Sequence, residues 1–228
     1  MLTFSGLCIA PQNKLAPSLE AVALGLARES RWCGQTTIWF PVLAHSFLVA
    51  ELAAAECEGE HDAEQVHGVG LVPCPSRRCQ SAVLHALLHD APEMIGRDHP
   101  TTWKTDADRA REHEIMGRLY EALGLADAWP LTPDLAEAVG RADLLALRAE
   151  GTLLMPPALA ADPFGPVEPI DADTRSPLER AALAAARRWA ANAQVYDKWL
   201  RLGGYWQQQW VMEVRAAMAD SSAVEVTA

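Results

Sequence analysis

The chain has 228 residues, half of them apolar, with few aromatics although eight of these are Trp. That suits one compact helical body with room for a lid or tail. The formal net charge of −11 disfavours extended binding to a nucleic-acid backbone, which needs clustered Lys and Arg. A small anionic substrate is not excluded, because a bound cation can dominate the local field.

Taken in chain order, residues 1–14 lack a basic start and a long apolar stretch, so no signal peptide is expected. No run of about 18 apolar residues occurs, so no membrane span is expected. Leu19, Val22, Ala23 and Leu26 follow the i, i+3, i+4, i+7 spacing of a helix just after Pro17. A second helix opens near Pro41 and carries His45, Leu48, Val49 and Leu52 on one face. A third is expected from about Gln80 to Met94, with Val83, Leu84, Leu87 and Leu88 inward. A fourth spans Asp106 to Leu123, with Met116, Leu119, Tyr120 and Leu123 in register. The fifth starts at Thr132-Pro133, a cap followed by proline at the first helical position, and aligns Leu135, Val139, Ala142, Asp143 and Ala146. A long helix, Leu178 to Leu202, is broken by Gly203-Gly204, and a short last helix holds Trp206 and Trp210. The final eight residues read as disordered. No segment alternates apolar and polar residues for long, so the expected class is all-α.

Two segments read as loops: Cys57 to Arg78, rich in Gly, Glu and His, and Met155 to Pro177, rich in Pro and Asp. The connection between His45 and His89 holds Cys57, His61, His67, Cys74 and Cys79 in the spacing C-x3-H-x5-H-x6-C-x4-C. This matches no known zinc pattern and reads as a loop with incidental thiols. Five cysteines, an odd number, without a secretion signal point to reduced thiols and a cytoplasmic location. Arg187-Arg188-Trp189 and Trp199 read as helix packing; a lid or an oligomer contact is the alternative.

The most informative segment is His85-Ala-Leu-Leu-His89-Asp90-Ala-Pro-Glu93. A His-Asp pair at the end of an apolar helix is costly to bury without a partner. A divalent metal removes that cost, since imidazole and carboxylate are both good ligands. Two adjacent residues cannot complete such a site. His45 and Asp143, each on the apolar face of its own helix, are the natural additions.

The order His45 … His89-Asp90 … Asp143 resembles the HD-domain metal phosphohydrolases. The stretches SRWCGQTTIWFPVLAHSFLVAELA, ALLHDAPEMIGRDHPTTWK and GRADLLALRAEGTLLMPP extend the likeness. They resemble the branch of bacterial 5′-deoxynucleotidases and phage dATP triphosphohydrolases, over residues 19–157. The resemblance implies an HD-domain helical bundle over residues 1–157. Residues 158–228 would be a Pro-rich loop and C-terminal helices packing on it.

It also implies that His45, His89, Asp90 and Asp143 hold one divalent metal (Co, Zn, Mn or Fe), with Mg as a second ion. Glu93 would orient or deprotonate the attacking water. Asp98 would support the site or bind the second ion. Arg31 and Lys104 would neutralise phosphate charge, with Arg able to do so bidentately. Trp32 would pack against the sugar or base. The implied partner is a small-molecule deoxynucleotide, either a monophosphate or a triphosphate such as dATP. Homo-oligomerisation is left open. Two other functions stay in view: a non-catalytic nucleotide-binding or assembly module, and a hydrolase of a cyclic or signalling nucleotide.

Overall fold

A computed structural model of the chain describes residues 18–57, 77–96, 104–156, 168–171, 176–198 and 203–222. Among these residues the molecule is all-α. Its helices are α1 (Leu19–Leu26), α2 (Val42–Cys57), α3 (Arg77–Leu88), the single turn α4 (Glu93–Gly96), α5 (Asp106–Ala122), α6 (Pro133–Leu154), α7 (Pro177–Lys198) and α8 (Gly203–Ser222). No strand occurs among them; an isolated antiparallel bridge joins Ser30 to Pro41.

Local chemistry sets the helix starts. The Ser18 hydroxyl accepts the Ala21 N–H at 3.2 Å and caps α1. Thr105 and Asp108 form a reciprocal capping box at α5. Ser176 and Glu179 make the same exchange at α7, at 3.1 and 2.8 Å. Thr132-Pro133 opens α6 at the expected place, with proline at the first helical position.

Two expectations need correction. The helix expected to run to Met94 stops at Leu88. Pro92 has no N–H for the Leu88 carbonyl, and its ring would clash with that carbonyl. The chain instead turns, with the Ala91 N–H on the Leu88 carbonyl and the Glu93 N–H on the Asp90 carbonyl, both at 2.9 Å. The last helix, expected to be short, runs 20 residues from Gly203. Val211, Val214 and Ala217 bury a continuous face around Trp210 and carry it on.

The helix α2 is central and packs against α3, α6 and α7, while α8 covers α1 and α3. The hydrophobic core is continuous across residue 157, joining Leu48, Leu87 and Ala146 to Leu183, Trp189 and Trp210. Trp189 stacks on Phe47 with ring centroids 4.8 Å apart, and Arg188 reaches Glu51 at 2.5 Å. These residues therefore pack within the molecule. Trp39 also packs against the core. Cys33 is exposed, and Cys79 is buried in α3. No helix among the described residues is long and apolar enough to cross a membrane. His61, His67, Cys74, Asp98, His99, Trp103 and Trp199, and the expected disorder beyond Ser222, lie outside the described residues.

Candidate metal centre

Three helices bring the chemistry together. His45 comes from the first turn of α2, where its backbone N–H bonds the Pro41 carbonyl at 3.3 Å. His89 and Asp90 sit in the turn that Pro92 enforces after α3, and Asp143 comes from the middle of α6. One ligand atom from each of His45, His89 and Asp90 lies within 4.8 Å of the others, a group that can hold a metal ion. His45 Nε2 is 3.5 Å from Asp90 Oδ2 and 3.0 Å from Asp143 Oδ1. His89 Nε2 is 3.2 Å from Asp90 Oδ2 and 3.9 Å from Asp143 Oδ1. Asp143 thus joins the edge of the cluster and is its most exposed member.

The donor chemistry fits a cation. His89 Nε2 and Asp90 Oδ2 are buried, and among the described residues neither has a hydrogen bond of acceptable geometry despite their proximity. Buried polar atoms left in that state are expensive, and a shared cation satisfies both. The opposite ring nitrogens are already engaged. His89 Nδ1 donates to the Ala86 carbonyl at 2.6 Å, and His45 Nδ1 lies 2.5 Å from Glu150 Oε1. With Nδ1 as the donor, Nε2 is left as a lone-pair ligand on both rings.

Charge is concentrated here. Burial and the Arg31 guanidinium lower the His45 pKa, but Glu150 and Asp143 outweigh them and raise it to about 10. His89 is also raised: burial opposes its proton, and Asp90 and Asp143 prevail. Burial pushes the Asp90 carboxyl up, yet His89, His45 and Arg31 hold it well below its ordinary range. Asp143 is lowered against burial by its bond and charge interaction with His45.

The other expected site residues are placed as follows. Arg31 is buried, 3.7 Å from Asp90 and 3.5 Å from Glu150. Trp32 is buried against Met155 and Leu147, and its indole N–H donates to Glu150 Oε2 at 3.1 Å. Glu93 is buried at the start of α4, where Lys104 reaches it at 3.6 Å and Glu112 at 2.8 Å. Burial disfavours the Lys104 charge, but Glu112, Glu93 and Asp90 raise its pKa. His85, which has metal-pair spacing with His89, instead meets the Tyr120 hydroxyl and stacks on its ring. His113 packs against Trp129.

Glu150 was missed from sequence. It is fully buried and contacts His45, Trp32 and Arg31. A signal existed: it lies seven residues after Asp143 on α6, two turns along the same face, among Ala142, Ala146 and Ala149. An acid on an inward face calls for a partner.

Among the described residues, the fold and site together define an all-helical body with a buried His/Asp group able to hold a metal ion. Compared with family models and with curated proteins, the chain matches none.

Proposed function

We propose that the chain is a metal-dependent phosphohydrolase of the HD type that acts on a small deoxynucleotide. The observation that carries this reading is the meeting of His45, His89 and Asp90 in one buried cluster, with Asp143 at its edge. Separately, the chain's own motifs resemble that family.

In this reading His45, His89, Asp90 and Asp143 hold the ion. A divalent ion held there supplies Lewis-acid polarisation of a phosphoryl oxygen and acidification of water. Glu93 accepts the proton of the attacking water, since its carboxylate lies just past the ligand turn and is not one of the clustered ligand atoms. Arg31 faces the phosphate as a fixed cation, already held by Asp90 and Glu150. Lys104 adds a second positive charge on the Glu93 side. Asp98 keeps its proposed supporting role.

Trp32, locked to Glu150, supplies a rigid apolar wall beside the sugar. A pocket with no polar partner disfavours a buried 2′-hydroxyl by about 1–3 kcal/mol, so deoxyribose is preferred.

The test is turnover of matched ribo- and deoxyribonucleoside mono-, di- and triphosphates and cyclic nucleotides. Co²⁺, Mn²⁺ and Mg²⁺ are supplied, and products are separated by chromatography. Release of phosphate or triphosphate from deoxynucleotides is the expected result. Equal efficiency on ribose and deoxyribose would refute the sugar preference. Nucleotide binding without turnover under any metal would favour a non-catalytic module.

A further inference from the structure

The α6 helix carries two inward carboxylates seven residues apart, and only Asp143 belongs to the set proposed to hold the ion. The other, Glu150, is fully buried, and both of its oxygens are committed. Oε1 lies 2.5 Å from His45 Nδ1, and Oε2 lies 3.1 Å from Trp32 Nε1. Arg31 Nε stands 3.5 Å from Oε2.

These partners share a place in the fold. Arg31 and Trp32 begin a loop pinned at both ends. The Arg31 N–H bonds the Phe40 carbonyl at 2.9 Å, and the Thr37 N–H bonds the Leu154 carbonyl at 2.8 Å. Within it, Trp32 and Cys33 both adopt left-handed backbone, at φ 56° and 52°. Side chains disfavour that conformation, so it persists only where surrounding contacts over-determine it. The indole bond to Glu150 is one such contact.

We infer that Glu150 is the positioning residue of the metal centre. It holds the Nδ1 proton of His45 so that Nε2 faces His89 and Asp90, and it anchors Arg31 and Trp32 beside them. The inference rests on the metal-centre reading proposed above. A ring nitrogen ligates only through a free lone pair, and the partner of the other nitrogen decides which one is free. For His89 that partner is the backbone carbonyl of Ala86, which no side-chain substitution removes. For His45 it is a side chain.

Glutamine at this position fits badly in either orientation. With its carbonyl toward His45, its NH₂ confronts the indole N–H and the guanidinium, which are also donors. With the amide flipped, the NH₂ meets Nδ1 and drives the ring proton onto Nε2.

Zn²⁺ alone, titrated into the full-length chain against a chromophoric chelator, tests this. Glu150→Gln is expected to weaken Zn²⁺ binding by about 10–100-fold, the usual effect of removing such a partner. A general structural role would not fix the tautomer of the His45 ring, which ¹⁵N NMR reads, and unchanged affinity in Glu150→Gln overturns the inference. If the variant does not fold, ¹⁵N NMR of the Zn²⁺-loaded wild type decides. A slowly exchanging proton on His45 Nδ1, with Nε2 shifted by zinc, supports the assignment; a proton on Nε2 overturns it. Failure of the wild type itself to take up Zn²⁺ overturns the metal-centre reading, and is told apart because it occurs without any substitution. The readout is Zn²⁺ rather than turnover, so an absence of nucleotide hydrolysis counts against the proposed reaction alone.

Discussion

His45, His89 and Asp90 are each oriented by a second contact, so single side chains have separable effects. His89 is held by Ala86, His45 by Glu150, and Asp90 by its neighbours Arg31 and His45. Removing one ligand both weakens the site and leaves the others as uncompensated buried charge. His89→Ala and Asp90→Ala are each expected to lose bound metal and nucleotide hydrolysis together. Elemental analysis of the purified variants beside their turnover checks this, and full metal content with full activity in either would contradict the assignment. Glu93 belongs to a different position in the geometry, at the start of α4 and in ion-pair contact with Lys104. Glu93→Gln keeps the shape but cannot take a proton. It is expected to retain metal and lower turnover by about 10²–10⁴, the range of positioned acid–base groups. Loss of metal would make Glu93 a ligand; unchanged turnover would make it a bystander.

At the level of elements, the break after Leu88 matters most. It turns the chain so that the His-Asp pair faces the interior rather than continuing along a helix. The short helix α4 that follows then lies against α1. The approach is very close: a Cβ placed on Gly25 would sit 2.5 Å from the Met94 Cβ. Gly25→Ala must push α1 and α4 apart, although alanine is the better helix former. Destabilisation by about 1–3 kcal/mol is expected. Chemical denaturation of the metal-free protein measures it, and a neutral or stabilising result would show that the α1–α4 contact can relax.

Across the whole molecule, α3 is tied to α5 by a second buried polar pair, His85 and Tyr120. His85 meets the Tyr120 hydroxyl, and burial lowers the imidazole pKa to about 4. In the unfolded chain the same group titrates near its ordinary 6.5. Between those values the unfolded state binds the extra proton, so folding stability falls as pH drops from about 6.5 to about 4. Above 6.5 this contribution is fully present, and below 4 it has no further slope. The slope from this one group approaches about 1.4 kcal/mol per pH unit. His85→Gln is expected to flatten the stability profile in that window. Denaturation midpoints at several pH values, for the wild type and the variant, would show whether it does.

Helix content and several helix starts were legible in the sequence because they depend on local chemistry: Pro17 just before α1, Pro133 at the first position of α6, and apolar spacing on one face. His45, His89, Asp90 and Asp143 were legible as well, since titratable groups on apolar faces demand partners wherever the helices happen to pack. The break at Pro92 was readable in principle, but the apolar residues on both sides masked it. The length of α8 was not, because Gly203-Gly204 signals a stop and only packing of the Trp210 face against α1 and α3 carries the helix on. The partners of Glu150 and Trp32 were decided by tertiary structure alone. Residues 32, 45 and 150 meet because α2, α6 and the loop after α1 converge, and no local pattern encodes a hydrogen bond across more than a hundred residues. Sequence determined which groups must find partners; the packing of the helices decided which partners they found.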